Sequence, residues 1–230
     1  MSVIVALTAQ NTTGVSAVHE APPEFVRAQL EAVFSDLGVD VAKTGMLFSR
    51  RLVETVADYL ADQPVPLVVD PVMVASSGAQ LLQDDAVDAL VGRLFPLATV
   101  VTPNLHEAQA LAGRVPGSDP RTRRELAVAI VELGAAAAIV TGGHGPDSVD
   151  HLFDGRDHVE IPVERHDVGA THGAGCTHSA TLTAMLAQGR ALADAARVAA
   201  SVASEAVRNG LSELGAGEGP VDVFALGSTR

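Results

Sequence analysis

Short apolar runs rich in Val and Ile alternate with amphipathic stretches along most of the chain. Runs at 2–7, 39–44, 67–70, 99–102 and 136–141 have the length and composition of buried strands. Between them, apolar positions recur at helical spacing, which predicts helices over 22–37, 49–61, 84–95, 106–112 and 120–133. The remainder predicts a hairpin from 149–153 and 158–162, followed by two Ala-rich helices over 175–188 and 191–209.

Individual residues support several of these boundaries. Ser49 is placed to cap the second helix, and Gly113 and Gly134 suit left-handed turns where two later helices end. The first helix is expected to bury Phe25 together with Val26 on its apolar face. The polar stretch 10–14 predicts a turn directly after the first strand.

Strands separated by helices of this length predict βαβ units and a mainly parallel sheet with helices on both faces. We therefore expect residues 1–230 to form a single α/β domain. Ligands of such sheets bind at the carboxyl ends of the strands, and several polar motifs of this chain fall there. The stretch 142–170, rich in Gly, Asp and His, is expected to act as a flap.

Composition narrows the possible functions. The 28 acidic residues outnumber the 15 basic ones and give a net charge of −13, which disfavours a nucleic-acid partner. A single cysteine, Cys176, excludes an internal disulfide and a multi-cysteine zinc site. No uncharged apolar stretch approaches the roughly 18 residues of a membrane span, and no signal peptide is visible, so we expect a cytoplasmic protein.

The segment THGAGCT at 171–177 opens a predicted helix. Gly173, Ala174 and Gly175 permit close backbone approach, and N–H groups converge at the positive end of the helix dipole. Such an anion hole suits phosphoryl transfer. Cys176 lies where a thiol pKa is commonly lowered. Taken alone, the segment is equally compatible with a glycine-rich turn beside a buried cysteine.

Two acidic residues follow predicted strands. Asp70, within DPVM at 70–73, could hold magnesium directly or through water, or could be an ordinary turn or cap residue. Asn104 and Glu107 have the spacing of a capping pair for the next helix. Glu107 would also be a second acid near the same metal and phosphate region, and both roles are compatible.

Amides and glycines mark two further strand ends. Gln10, in the segment 8–12, could recognise a heteroaromatic ring, because an amide is both donor and acceptor, or could belong to a solvated loop. Gly142 and Gly143 after Thr141 could contact nucleotide or phosphate, or form a simple turn. The other histidines lack a trusted metal-ligand spacing, and most are expected to be solvated: His19, His106, His151, His158, His166 and His178.

Six motifs occur in a fixed order along the chain. They are LTAQNT at 7–12, KTGML at 43–47, DPVM at 70–73, TPNLHEA at 102–108, TGGH at 141–144 and HGAGCT at 172–177. Together they resemble the hydroxymethylpyrimidine/phosphomethylpyrimidine kinase family of thiamine biosynthesis, within the ribokinase-like superfamily. Each motif alone is weak, but six in register are specific, and the resemblance covers nearly the whole chain.

The resemblance implies a three-layer α/β/α ribokinase-like fold with a mainly parallel central sheet. It also implies the use of ATP and Mg²⁺ to phosphorylate 4-amino-5-hydroxymethyl-2-methylpyrimidine and then its monophosphate. Family members are often homodimers, so a homodimer is a further expectation. By the same resemblance, Gln10 would hydrogen-bond the pyrimidine, and Met46 and Val72 would pack against its ring.

The resemblance also assigns the phosphate-transfer residues. Asp70 and Glu107 would organise magnesium and the ATP phosphates. The nucleotide would be contacted by Asn104, Thr141 and Gly143. Gly173, Ala174 and Gly175 would form the anion hole with Cys176, which would accept a proton from the substrate oxygen or orient that oxygen.

Two departures from the family pattern accompany these assignments. Family members usually have a first strand, a glycine-rich turn and a helix before the position of Met1, so we expect a late start or a truncation. Thr141 stands where these kinases usually have a lysine near the ATP phosphates. Two alternatives stay open: a pyridoxal or hydroxyethylthiazole kinase of the same superfamily, and a non-catalytic pyrimidine-binding descendant.

Overall fold

The computed structural model describes residues 1–75, 78–113, 117–142 and 148–226. These residues form eight strands and seven helices. The strands are β1 (Ala6–Asn11), β2 (Gly14–Glu20), β3 (Ala42–Thr44), β4 (Leu67–Val69), β5 (Val100–Val101), β6 (Ala138–Val140), β7 (Val149–Phe153) and β8 (His158–Pro162). The helices are α1 (Pro23–Ala32), α2 (Arg50–Leu60), α3 (Asp84–Ala89), α4 (Leu105–Ala112), α5 (Pro120–Glu132), α6 (Ala174–Ala187) and α7 (Leu192–Arg208).

The central sheet has six strands in the order β3-β4-β5-β6-β7-β8, which is also their order along the chain. The pairs from β3 to β6 are parallel, and β7 and β8 continue the sheet antiparallel. The predicted mainly parallel sheet is therefore confirmed. The predicted flap over 142–170 is wrong for 149–162, because these residues are sheet strands.

Alternate residues of the strands serve two hydrophobic cores. Val69 and Val101 belong to the core formed with α1 to α5, whereas Val68 and Val100 belong to the core formed with α6 and α7. Side chains alternate between the faces of a strand, so both faces of the sheet are covered by helices. The three-layer α/β/α arrangement is confirmed. No helix within the described ranges is long and apolar enough to cross a membrane.

The N-terminal region differs most from its prediction. In place of a buried strand at 2–7, β1 starts at Ala6 and pairs antiparallel with β2 in a separate two-stranded sheet. Most of β1 is exposed, and only Val3 and Val5 of the apolar run pack against the core. The apolar residues at 2–7 lie in an extended segment that packs only partly against the core. A sequence pattern cannot distinguish such a segment from a buried sheet strand.

The predicted helices are confirmed, with local differences at their surfaces and ends. Phe25 is 59% exposed, so its predicted burial is wrong, while Val26 of the same helix is fully buried. After α1 the chain continues as a π-helical turn at Val33–Leu37. Ser49 caps α2 as predicted, accepting a hydrogen bond from Leu52 N and donating one to Glu20 at the end of β2.

Two histidines that were expected to be solvated are buried. His151 in β7 is 1% exposed, with Nε2 2.9 Å from His158 Nδ1. Burial, the largest cause, lowers the pKa of His151. His178 in α6 is 4% exposed and lies beside Asp150 of β7. Helix packing over β7 therefore excludes water from both residues.

Candidate active site

The carboxyl ends of neighbouring strands meet the N-terminal half of α6. Asp70 N, just after β4, donates to Thr44 O at the end of β3, and Thr102 N, just after β5, donates to Val69 O. Helix α6 packs against β3 and β4 at this edge. The polar motifs that follow three separate strands are thereby brought to the first turns of α6.

Asp70 is the buried carboxylate at the centre of this edge, with 6% of its surface exposed. Its Oδ2 accepts a 2.7 Å hydrogen bond from Ser179 Oγ and lies 3.6 Å from Lys43 Nζ. Lys43 and Ser179 were missed as site residues by sequence reasoning. Lys43 had a usable indication, because it is the only lysine and lies in β3 within a motif.

Glu107 lies in the first turn of α4, after β5, and is held by two backbone donors. Its Oε2 accepts from Asn104 N at 2.8 Å and its Oε1 accepts from Met73 N at 3.3 Å. Asn104 Oδ1 accepts from Glu107 N at 3.0 Å, so the predicted capping pair is confirmed. The bond to Met73 N also ties α4 to the loop after Asp70.

The electrostatics of this edge disfavour a second negative charge. Burial is the largest cause that raises the pKa of Glu107 to about 7, and the negative charge of Asp70 raises it further. The two backbone N–H groups act in the opposite direction without overcoming burial. Asp70 and Glu107 are therefore close enough to repel each other, and a cation at this edge would relieve that repulsion.

The donors at this edge fit magnesium better than a metal held entirely by protein. Within the described ranges, no group of three or more His, Cys, Asp or Glu side chains could hold a metal ion. Mg²⁺ is typically held by one or two carboxylates, with substrate phosphates and water completing its shell. Among the described residues, the hydroxyls of Thr44 and Thr102 are also buried there without a hydrogen-bond partner. Two carboxylates and neighbouring oxygen atoms match that coordination chemistry.

The anion-hole segment begins at Gly173, whose φ of 90° caps α6. A left-handed φ of this kind favours glycine, because other residues are strained there. Ala174 N donates to Thr171 O at 3.0 Å, whereas Gly175 and Cys176 belong to the helix turn whose N–H groups lack intrahelical acceptors. The N–H groups offered to an anion at this end are thus those of Gly175 and Cys176.

The thiol of Cys176 does not have the lowered pKa expected from its place at a helix start. Its side chain reaches the surface, but desolvation by the surrounding site is the largest cause that raises the pKa of this thiol. The charge of Asp70 and, to a smaller extent, that of Glu107 raise it further, and Lys43 lowers it. The expectation of a lowered pKa is wrong, because desolvation together with the charge of Asp70 outweighs the lowering effect of Lys43.

Thr141 lies at the fourth strand end, beside Asn104. Thr141 N donates to Pro103 O at 2.9 Å, and Thr141 bridges Asn104 in parallel register. Gly142 follows, where an added Cβ would lie 2.0 Å from Val149 O, so a side chain is excluded by the approach of β7. Gly143, the third predicted nucleotide residue, lies outside the described residues.

The predicted pyrimidine residues are divided between two surfaces. Met46 and Val72 are half-buried close to the site, and Val72 N donates to Asp70 O at 2.9 Å. Gln10 is exposed on β1, where Thr8 Oγ1 donates to its Oε1 at 3.3 Å. The described contacts therefore do not bring Gln10 to Asp70.

The hairpin of β1 and β2 is connected to the anion-hole end through the C-terminal loop. Gly217 N donates to Thr12 Oγ1 at 3.2 Å at the tip of the hairpin. Further along the same loop, Gly219 O accepts from His172 N at 3.2 Å, immediately before Gly173. The hairpin that holds Gln10 and the start of α6 are thus joined by one short loop.

Comparisons with known proteins agree with this arrangement. A family model described as phosphomethylpyrimidine kinase matches residues 1–222. The hydroxymethylpyrimidine/phosphomethylpyrimidine kinase of Rhizobium meliloti is 46% identical over 226 residues, covering 97% of this chain and 85% of that protein. A thiamine biosynthesis bifunctional protein of Geobacter sulfurreducens is 47% identical, and the match spans 96% of this chain but 45% of that longer protein.

Solved structures share the fold over most of the chain. The pyridoxal kinase of Staphylococcus aureus in complex with pyridoxal superimposes with a TM-score of 0.89 at 31% identity, covering 100% of this chain and 84% of that chain. A phosphomethylpyrimidine kinase of Clostridium difficile superimposes with a TM-score of 0.76 at 33% identity, covering 87% of this chain and 83% of that chain.

Proposed function

The chain belongs to the phosphomethylpyrimidine kinase family, and from that premise we propose that it transfers the γ-phosphoryl group of ATP to 4-amino-5-hydroxymethyl-2-methylpyrimidine and then to its monophosphate. The observation that carries the proposal is the convergence of Asp70, Glu107, Lys43 and the start of α6 at one sheet edge. This edge combines oxygen ligands for a cation with donors for an anion, which phosphoryl transfer requires together.

In the first step, the hydroxyl oxygen of the pyrimidine attacks the γ-phosphorus while the bond to the bridging oxygen breaks and ADP leaves. In the second step, a phosphate oxygen of the monophosphate is the nucleophile. Gly175 and Cys176 N–H groups and the Lys43 ammonium stabilise negative charge on the transferred group. Placement of the reactants supplies much of the rate, because the transition state is loose.

Cys176 acts in this scheme as a protonated thiol. Its pKa is raised, so a thiolate that could take the hydroxyl proton is not available near neutral pH. The thiol instead orients the incoming oxygen by a weak hydrogen bond, and the hydroxyl proton passes to water after the new phosphorus–oxygen bond has formed. Of the two roles open to Cys176, we therefore propose the orienting one.

Asp70 and Glu107 would hold magnesium together with the ATP phosphates. The ion would supply positive charge at the β- and γ-phosphates when bound. Glu107 keeps its orientation through the N–H groups of Asn104 and Met73. Asn104 and Thr141, paired at neighbouring strand ends, would place the nucleotide beside this cation, with Gly143 as a further contact. Gln10, Met46 and Val72 would line the pyrimidine.

The deciding experiment follows conversion of the pyrimidine and its monophosphate by mass spectrometry, with ATP and magnesium present or omitted. A diphosphate product that depends on both reagents supports the proposal. Asp70→Asn is the matched variant, since it keeps the shape of the side chain and removes its charge, and we expect it to raise the magnesium requirement. Pyrimidine binding without ATP consumption would instead identify a non-catalytic binding protein.

Pyridoxal is a second candidate substrate. The observation that favours it is the TM-score of 0.87 to 0.89 with pyridoxal kinases, one of them in complex with pyridoxal. The same assay with pyridoxal in place of the pyrimidine measures this activity, and competition between the two tests for a shared pocket. A kcat/KM for pyridoxal equal to that for the pyrimidine would make both natural substrates.

A homodimer in the cytoplasm, where ATP is available, completes the proposal. Gln29 of α1 hydrogen-bonds both the N–H and the carbonyl of Ile4. Ile4 is 47% exposed, and Phe25, one helical turn before Gln29, is 59% exposed. We take these two exposed apolar side chains as the candidate contact between protomers. Light scattering coupled to size exclusion, with Phe25→Glu as the variant, tests for a dimer that the charge would dissociate.

A further inference from the structure

A buried acid–base pair lies behind the proposed phosphate site. Asp150 of β7 and His178 of α6 are 3% and 4% exposed, and His178 Nε2 lies 3.2 Å from Asp150 Oδ2. The ring N–H is not aligned with the carboxylate, so the contact is a close electrostatic one without a regular hydrogen bond. Among the described residues His178 Nδ1 has no hydrogen-bond partner.

The two oxygens of Asp150 face different parts of the site. Oδ1 accepts a 2.8 Å hydrogen bond from Gly142 N, directly after Thr141. Oδ2 faces His178, which lies two residues after Cys176 in the first turns of α6. One carboxylate therefore connects the backbone just after β6 with the helix whose N-terminus offers Gly175 and Cys176 N–H groups.

Burial of such a pair is not explained by stability. A carboxylate and an imidazole taken out of water lose solvation free energy, and apolar residues of similar size often serve stability equally well. A pair of this kind fixes the relative placement of the elements it joins. Here those elements are the two backbone segments closest to the proposed phosphates.

We propose that Asp150 and His178 are a positioning pair, which holds the Thr141–Gly142 backbone and the N-terminus of α6 in one register. The inference rests on the proposed kinase function and adds two residues that act through their neighbours. Neither side chain contacts substrate in this scheme. A displacement of about 1 Å between phosphate-binding groups can cost on the order of 100-fold in rate, so a rigid link between them affects turnover.

The test is a double-mutant cycle with Asp150→Asn and His178→Leu. Asparagine keeps Oδ1 for Gly142 N and removes the charge, whereas leucine fills the place of the imidazole without polar atoms. We expect each single variant to lower kcat about tenfold and the double variant to lower it no further, because the pair acts as a unit. The KM for the pyrimidine should change by less than about twofold.

His166→Leu is the matched control, since His166 contacts Ser204 Oγ on α7 and has no described link to Asp150. It should leave kcat unchanged. Circular dichroism melting of every variant confirms that the comparison is between folded proteins. Independent, multiplicative effects of the two substitutions on kcat, or full activity in both, would overturn the positioning pair.

Hydrogen exchange separates this inference from the proposed function. His178→Leu should accelerate exchange in the peptide containing the Gly142 amide, although His178 lies on another element. If His178→Leu accelerates exchange at Gly142 but the protein phosphorylates neither the pyrimidine nor its monophosphate, the structural link is retained and the kinase proposal is refuted. Unaltered exchange at Gly142 in an active enzyme would refute the pair and leave the kinase standing.

Discussion

The ammonium group of Lys43 lies 3.6 Å from Asp70 Oδ2, the same oxygen to which Ser179 donates. Both described contacts of this carboxylate therefore involve one oxygen, which leaves Oδ1 for a ligand. Lys43 also lowers the pKa of the Cys176 thiol, so its charge acts on the start of α6 as well. One cation thus stands between the proposed metal ligands and the proposed anion hole.

Lys43→Met should lower kcat/KM on the order of 100-fold, because removing one preorganised charge from a phosphoryl-transfer site typically costs that much. Steady-state kinetics with ATP and the pyrimidine measures the effect. Lys43→Arg keeps the charge and is the matched variant, with part of the activity expected to return. Equal kinetics for the methionine variant and the wild type would remove Lys43 from the mechanism.

Alkylation of Cys176 by iodoacetamide should be slow at pH 7 and should reach half its maximal rate above pH 9.0, the ordinary thiol pKa, since the pKa of this thiol is raised. Mass spectrometry of the intact protein follows the reaction without interference, because the chain has one cysteine. Asp70→Asn removes the larger of the two raising charges and should shift the profile to lower pH. Fast alkylation at pH 7 would show that Cys176 is a thiolate there and would contradict the orienting role.

The carboxyl group of Glu107 should make folding stability depend on pH in metal-free buffer. Its folded pKa of about 7 lies above the ordinary 4.5, so its contribution is complete below pH 4.5 and is lost as pH rises to about 7. We expect this loss to be on the order of 3 kcal/mol. Urea unfolding from pH 5 to pH 8 measures it.

Glu107→Gln is the reference for that measurement, because glutamine does not titrate. As pH rises, the unfolding free energy of the wild type should fall relative to that of Glu107→Gln. A difference that stays constant from pH 5 to pH 8 would show that burial does not control this carboxyl group.

Asn104→Ala should lower the free energy of unfolding by about 1 kcal/mol, because it removes the side-chain oxygen that caps α4 and orients Glu107. Asn104→Ser retains a capping oxygen, so it should restore stability and turnover together. Thermal melting and the kinase assay provide the two measurements. A stable but inactive serine variant would show that the amide contacts the nucleotide directly.

Local sequence features were sufficient for the helices and for the cap residues. Ser49 and Asn104 have side chains whose capping chemistry needs no distant partner, and both predictions are confirmed. The apolar faces of the helices repeat over several turns, which makes their pattern robust. The predicted burial of Phe25 is wrong because a single aromatic residue on a helix surface carries no information about what covers it.

Contacts between residues far apart along the chain could not be predicted from the sequence. Asp70 and Ser179 are 109 residues apart, and Lys43 was recognised as part of a motif but not as a site residue. His178 was expected to be solvated, and its burial depends on Asp150 of β7, a neighbour that the local sequence around α6 does not show. The direction of the Cys176 pKa shift depended on desolvation by surrounding segments and on the charge of Asp70, neither of which the helix start alone reveals.

The hydrogen bond between Gly217 N and Thr12 Oγ1 joins residues 205 positions apart, whereas the six strands of the main sheet are ordered as they occur along the chain. During synthesis on the ribosome, β3 to β8 can therefore join the growing sheet in the order in which they emerge. The hairpin of β1 and β2 cannot be fixed by this bond until residue 217 has been made. The hairpin is therefore synthesised before β3 to β8 but acquires this contact only after all of them.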